Sequence, residues 1–256
     1  MTTTATTETP ALSVRGATKR FGAVLALDDV DLDVRRGEVL AVLGDNGAGK
    51  STLIKCISGV HRLDAGQIEI DGHAVSLSSP AAARAHGIET VYQDLALFDN
   101  LGPADNFYAG REDAWPRWMP PPLRVLRRRA MAEATTATLE RLQVTLPDRA
   151  ALVGLMSGGQ RQVIAVARAA AFASQVVILD EPTAALGLRE SRRVLDLITR
   201  LRGEGHAVIV ISHAMDHVTE VADRAVVMRR GRKVGEEIPS TDSQERIVAL
   251  IVGSSG

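Results

Sequence analysis

This chain carries no excess of either charge. Thirty Lys and Arg stand against 31 Asp and Glu, for a formal net charge of −1. That balance gives no electrostatic reason to expect a nucleic-acid partner. Cysteine is nearly absent. Cys56 is the only one in 256 residues, which rules out an internal disulfide and fits a reducing, cytosolic setting. Long apolar runs are missing too. None approaches the ~18 residues that a membrane span needs, and the longest are short, such as 207–211. Residues 1–10 are threonine-rich and lack the basic-then-apolar order of a signal peptide, so they read as a disordered tail. No internal repeat is visible. What remains, 45% hydrophobic and 24% charged residues, is ordinary for a soluble globular chain of one large domain or two small ones.

The most informative stretch is Gly44-Asp45-Asn46-Gly47-Ala48-Gly49-Lys50-Ser51-Thr52, a G-x-x-x-x-G-K-[ST] phosphate loop. Its glycines let backbone N–H groups turn inward toward an anion. Lys50 adds a charge near the β- and γ-phosphates, and the Ser51 hydroxyl suits Mg²⁺. The context is the one this motif needs. An apolar strand, Val39 to Leu43, precedes it, and a helix with Leu53, Ile54 and Ile57 on one side follows, with Gly59 as the stop. Cys56 falls in that helix as a small core residue.

Elsewhere the patterning is that of a mixed α/β chain. Val30, Leu32 and Val34 alternate with Asp31, Asp33 and Arg35, as Ile68 and Ile70 do around Glu69, which predicts half-buried strands. The same alternation spreads Asp28, Asp29, Asp31 and Asp33 over both faces and argues against a metal cluster. Residues 94–165 differ in character. They hold Trp115, Trp118, the run Pro120-Pro121-Pro122, and an Arg- and Ala-rich helical stretch in which Arg124, Arg127, Arg128 and Arg129 read as a solvated face, with a partner or lipid headgroups as the second reading. From 175 onward strands and helices alternate, with strands at 176–179, 207–211 and 225–228 and helices at 191–202 and 216–223, which predicts a mostly parallel sheet with covering helices.

Three strands end in chemistry. The run 176–181 is an apolar strand closed by Asp180 and Glu181. Ligands sit at the carboxyl ends of parallel strands, so Asp180 is a candidate to hold Mg²⁺ and Glu181 to polarise the attacking water. The strand reading over 88–93 puts Gln93 within reach of both metal and water. The run 208–213 offers His213 to a γ-phosphate oxygen. His213 and His217 have zinc-helix spacing, but Ala214 stands where a metalloprotease needs glutamate and no third ligand is evident. Finally, Ser157-Gly158-Gly159-Gln160, after Met156, reads as a capping box. Its paired glycines go further, leaving bare N–H groups at a helix start, an anion site. A second phosphate-binding turn is most simply explained if it caps the nucleotide of a neighbouring subunit.

In this order the motifs 44–52, Gln93, 157–160, 176–181 and His213 resemble the nucleotide-binding subunit of an ATP-binding cassette (ABC) transporter over roughly residues 10–240. The resemblance implies an α/β P-loop NTPase with a RecA-like core, an antiparallel β subdomain and an inserted helical subdomain at about 94–165, the ATPase domain spanning 11–250 with a tail at 251–256. It implies ATP and Mg²⁺, with Phe21 stacked on adenine, Gly44, Asn46, Gly47, Ala48, Gly49, Lys50, Ser51 and Thr52 on the phosphates, and Ser51, Gln93 and Asp180 at the metal. Glu181, His213, Gln93 and Lys50 are its catalytic set, and Ser157, Gly158, Gly159 and Gln160 close over the nucleotide of a second cassette. Met156 replaces the usual Leu as a near-isostere. Gly187 replaces an aspartate that contacts the opposite subunit, which puts communication between the two sites in doubt.

Further wording, 91–94, 184–187 and 212–215, resembles single-cassette importers of fructose- and ribose-type monosaccharides. That resemblance implies a homodimer at the cytoplasmic face of the membrane, bound to permease subunits, indirectly served by an extracytoplasmic solute-binding protein, and without nucleic acid. The apolar residues Leu95, Leu97, Phe98 and Leu101 would meet a short permease helix. Three other readings stay open: a cytosolic ABC ATPase acting on nucleic acid or ribosomes, an importer cassette for a non-sugar solute, and a regulatory cassette with a dead site. The last is opposed by the intact Lys50, Asp180, Glu181 and His213.

Overall fold

The computed structural model describes residues 9–116, 118–120, 123, 125–146 and 148–253. β1 (Leu12–Phe21) and β2 (Val24–Val34) form a long hairpin, β3 (Val39–Leu43) runs into α1 (Lys50–Ile57), and β4 (Ala65–Ile70) turns into β5 (His73–Val75). α2 (Pro80–Ala85) leads to β6 (Ile88–Val91). Then come α3 (Pro103–Tyr108), a hairpin of β7 (Ala114–Trp115) and β8 (Val125–Leu126), and α4 (Arg128–Arg141). α5 (Gly158–Phe172), β9 (Val176–Asp180), α6 (Leu188–Gly203), β10 (Ala207–Ile211), α7 (Met215–Val221), β11 (Arg224–Arg229), β12 (Arg232–Glu237) and α8 (Gln244–Val252) complete the order.

The central sheet runs β12-β11-β3-β10-β9-β6, parallel throughout except for the β11–β12 edge pair. β3, β9 and β10 are apolar because both faces are covered. Side-chain alternation sorts them cleanly. Leu40, Val42, Ile178, Ile209 and Ile211 face α1 and the antiparallel sheet β2-β1-β4-β5. Val39, Val177, Leu179, Val208 and Val210 face α5 and α6. A smaller cluster around Ala41, Leu43, Val227 and Ile247 takes α7 and α8.

One side chain ties the two sheets together. Arg224, opening β11, donates to the backbone oxygen of Asp33 (2.7 Å), to Glu38 Oε1 (2.7 Å) and to Glu236 Oε1 (2.7 Å). Burial works against its charge, yet the bonds to Glu38 and Glu236 prevail and raise its pKa.

The aspartates of β2 serve as local partners. Asp28 pairs with Arg232 at 2.5 Å, Asp31 accepts from the Gly16 N–H at 2.8 Å, and Asp33 pairs with Arg224 at 3.3 Å. Residues 94–165 contain α3, the β7–β8 hairpin, α4 and the first turns of α5. The hairpin was not expected, since it depends on a two-residue pairing across a long loop. Arg127 precedes α4 and pairs with Asp113, while Arg129 pairs with Glu133; Arg124 lies outside the described residues. Most of the tail expected at 1–10 also lies outside them. The tail expected at 251–256 does not begin at 251, because Ile251 packs against the Ile247 cluster and α8 continues to Val252; residues 254–256 lie outside the described residues.

Candidate functional site

The phosphate loop joins the buried end of β3 to α1. Gly44, Gly47 and Gly49 all take positive φ. At Gly49 (φ +103) a Cβ would lie 2.7 Å from the Ala26 carbonyl oxygen, and at Gly44 (φ +144) 2.2 Å from that of Met228, so neither position admits a side chain. Asp45, Asn46 and Gly47 are exposed, Ala48 is buried beneath them, and Ser51 is exposed at the first turn of α1. The Lys50 ammonium donates to the carbonyls of Gly44 (2.6 Å) and Asp45 (3.0 Å). Its charge also lowers the pKa of Asp180, though burial, above all, and Glu181 together raise that carboxyl past its ordinary value.

Glu181 follows at φ +51, a left-handed conformation that costs a non-glycine residue about 1–3 kcal/mol. Its N–H donates to the Ile211 carbonyl of the next strand (3.0 Å). Its carboxylate accepts from His213 Nδ1 at 2.9 Å, which leaves Nε2 of the neutral ring as an acceptor. His213 is 76% exposed and Glu181 17%, so the imidazole stands outside the carboxylate. His217 is turned elsewhere, 2.9 Å from Thr183 Oγ1, and no metal-binding group of His, Cys, Asp and Glu occurs among the described residues.

Gln93 lies past the end of β6, which stops at Val91; the strand expected to reach it gives way to a turn, with Leu95 N–H bonded to Tyr92 O. Gln93 is exposed. Leu95 and Leu97 pack against the α5–α6 cluster, so the expected docking patch reduces to Phe98, 54% exposed, with Leu101 half-buried. Phe21 is 44% exposed at the end of β1, edge-on to His61 at 5.1 Å, with Lys19 Nζ 5.6 Å from its ring centre. It is not a core phenylalanine.

The second glycine turn opens α5 with a complete capping box. Ser157 Oγ accepts from Gln160 N (3.3 Å), and Gln160 Oε1 accepts from Ser157 N (2.9 Å). Gly158 is exposed, and in the first helical turn its N–H has no intrahelical acceptor. Gly159 is buried under Glu190, whose Cγ lies 2.2 Å from where a Cβ at 159 would be. Met156 is buried in the α5–α6 cluster, as a leucine would be.

The ABC transporter family profile matches residues 27–184. The chain belongs to this family. It is 50% identical to the fructose import ATP-binding protein of Rhizobium meliloti over 96% of this chain and 95% of that one. It is 42% identical to the xylose/arabinose import ATP-binding protein of Sulfolobus acidocaldarius, over 94% and 93%. A ribose import ATP-binding protein of Rubrobacter xylanophilus is also 42% identical, with this chain spanning 48% of its length. The crystal structure of an ABC transporter cassette in its ADP conformation superposes with a TM-score of 0.78 at 25% identity, covering 96% of this chain and 99% of that one. The chain is thus an ABC-type ATPase with the P-loop NTPase fold.

Within this ABC ATPase the donor set fits magnesium. Asp180 carboxylate, Ser51 hydroxyl and the Gln93 side-chain carbonyl are hard oxygen ligands of the kind Mg²⁺ takes. Asp180, its pKa raised by burial and then by Glu181, is a carboxylate that a cation would relieve. The motifs overlooked Arg168 and Asn106, which hold the backbone after Gln93, and the Arg111–Glu89 pair. Arg168 and Arg111 reach partners 22 to 73 positions away, which no local pattern carries; Asn106 bonds within eight positions, in a loop that matches no motif.

Proposed function

We propose that this chain is the ATP-hydrolysing subunit that powers import of a monosaccharide through a membrane permease. The observation that carries the reading is the 50% identity with a fructose import ATP-binding protein over nearly the whole of both chains.

In this reading the 44–52 loop and Lys50 hold the triphosphate and Phe21 stacks on the base, a contact of about 1–3 kcal/mol. Magnesium, held by Ser51, Asp180 and Gln93, supplies charge neutralisation on the phosphoryl oxygens. Glu181 accepts the proton of the attacking water. His213 orients that carboxylate through its Nδ1–H, and its second nitrogen donates to a γ-phosphate oxygen only when the ring carries a proton there as well.

A second copy closes head to tail, its Gly158 N–H and helix dipole meeting the same phosphate. ATP then binds the closed dimer better than the open one, and only this difference lets it drive closure. The assembly sits at the cytoplasmic face of the membrane, with permease subunits docked near Phe98 and an extracytoplasmic binding protein delivering the sugar.

The test is phosphate release from Mg-ATP by the chain reconstituted with its permease in vesicles. The rate is expected to rise when the binding protein is loaded with fructose, ribose or xylose. Stimulation by a non-sugar solute alone would overturn the sugar assignment, and no phosphate release at all would overturn the ATPase role.

A further inference from the structure

The segment between Gln93 and α3 has an unusual backbone. Leu95 and Ala96 are consecutive non-glycine residues in the left-handed region, at φ 59 and 47. Such residues persist only where their surroundings over-determine them. Here the surroundings are turn bonds from Leu95 N to Tyr92 O (2.9 Å) and from Ala96 N to Asp94 O (2.7 Å), the apolar packing of Leu95, and one guanidinium from α5. Arg168 donates Nη2 to the Leu95 carbonyl (3.0 Å) and Nη1 to the Ala96 carbonyl (2.9 Å). A planar fork matches two adjacent acceptors in a way a lysine ammonium does not.

A second arginine is fixed in the same region. Arg111 grips Glu89 with two bonds (2.8 and 3.2 Å), and its guanidinium carbon lies 4.2 Å from the ring centre of Phe172, one turn beyond Arg168 on α5. On the far side, the fully buried Asn106 bonds to Phe98 N (2.7 Å) and to the carbonyls of Phe98, Leu101 and Gly102. Gln93 and Asp94 are exposed and lie before both clamps.

Arg168 and Gly158 share α5, separated by about 15 Å of continuous helix. We propose that Arg168 is the positioning residue for Gln93 and couples it to the 157–160 turn at the start of the same helix. Movement of that turn carries the guanidinium, the guanidinium carries the Leu95 and Ala96 carbonyls, and Gln93 follows. The path lies within one chain and does not use Gly187. The inference rests on Gln93 acting at the water and metal; Arg168 itself touches no reacting group.

A double-mutant cycle on ATP hydrolysis by the full chain tests it, with Arg168→Met, Gln93→Ala and the pair, alongside ATP affinity and thermal midpoints. Arg168→Met is expected to lower kcat about tenfold or more with KM within about twofold. The double variant should be no slower than Gln93→Ala alone, and Arg168→Lys should fall between Met and wild type. A merely structural arginine would lower the thermal midpoint and would slow the Gln93→Ala background by the same factor as the wild type. That multiplicative result, or an unchanged kcat in Arg168→Met, overturns the clamp. An unchanged rate in Gln93→Ala alone overturns the Gln93 reading, and this inference with it. Should Arg168→Met fail to fold, the same cycle is run with Arg168→Lys, which keeps the charge and loses the fork.

Discussion

Glu181 is held twice, by a left-handed backbone and by the His213 imidazole. A carboxylate so fixed is suited to one proton transfer. Glu181→Gln keeps the shape and removes the base, so it is expected to bind ATP while turnover falls about 10²–10⁴-fold; phosphate release against wild type reads this directly, and equal rates would remove Glu181 from the role. Cys56 is a second single-residue case. Burial, assisted by Asp64 and only partly offset by Lys19, lifts its thiol to about 11. Alkylation at neutral pH is therefore expected to be slow in the native protein and fast in denaturant, and Mg-ATP should slow it further by stabilising the fold around α1. At this scale the sequence reading went far wherever chemistry is packed into a few consecutive residues, as in 44–52, 157–160 and 180–181. It passed over Arg168, whose acceptors are 72 and 73 positions away, and Arg111, whose partner is 22 away. Nothing local marks such pairs.

Elements whose hydrophobic period is unbroken were legible, because buried strands and amphipathic helices answer to packing that the pattern encodes: β3, β9 and β10 fall where the pattern put them, and α6 covers the expected 191–202 but starts at Leu188 and ends at Gly203. β6 fell short of Gln93, because the chain there follows guanidinium and amide contacts instead of a sheet partner. Electrostatics also acts on this scale. Burial alone would lift the Glu236 carboxyl, but bonds from Arg224 and Lys233 outweigh it and bring its pKa below the ordinary 4.5. The unfolded chain then holds the proton more tightly. The stabilisation is present above about pH 4.5 and is lost as pH falls through the lower folded value. Arg224→Met is expected to cost about 3 kcal/mol or more, since Glu38 stays buried without its partner. It should also flatten the acid side of the stability profile; urea midpoints followed downward from neutral pH check both.

For the whole molecule, the head-to-tail pair makes its own forecast. Glu181→Gln with Mg-ATP is expected to migrate at twice the monomer mass in light scattering, and changing Ser157 to a bulky residue should abolish that species without weakening nucleotide binding to the monomer. Gly187 bears on the same assembly. A Cβ there would lie 2.8 Å from Glu190 Oε2, so Gly187→Asp sets two carboxylates against each other. It should therefore not raise the ATPase rate unless Glu190 is shortened as well; steady-state rates of Gly187→Asp and Gly187→Asp/Glu190→Ala decide this. Arg224, meanwhile, pins β2, the segment before β3, and β12 at one point. A pair of spectroscopic labels straddling that pin should report an invariant separation through the entire catalytic cycle, an internal ruler against which displacement of any other element can be measured.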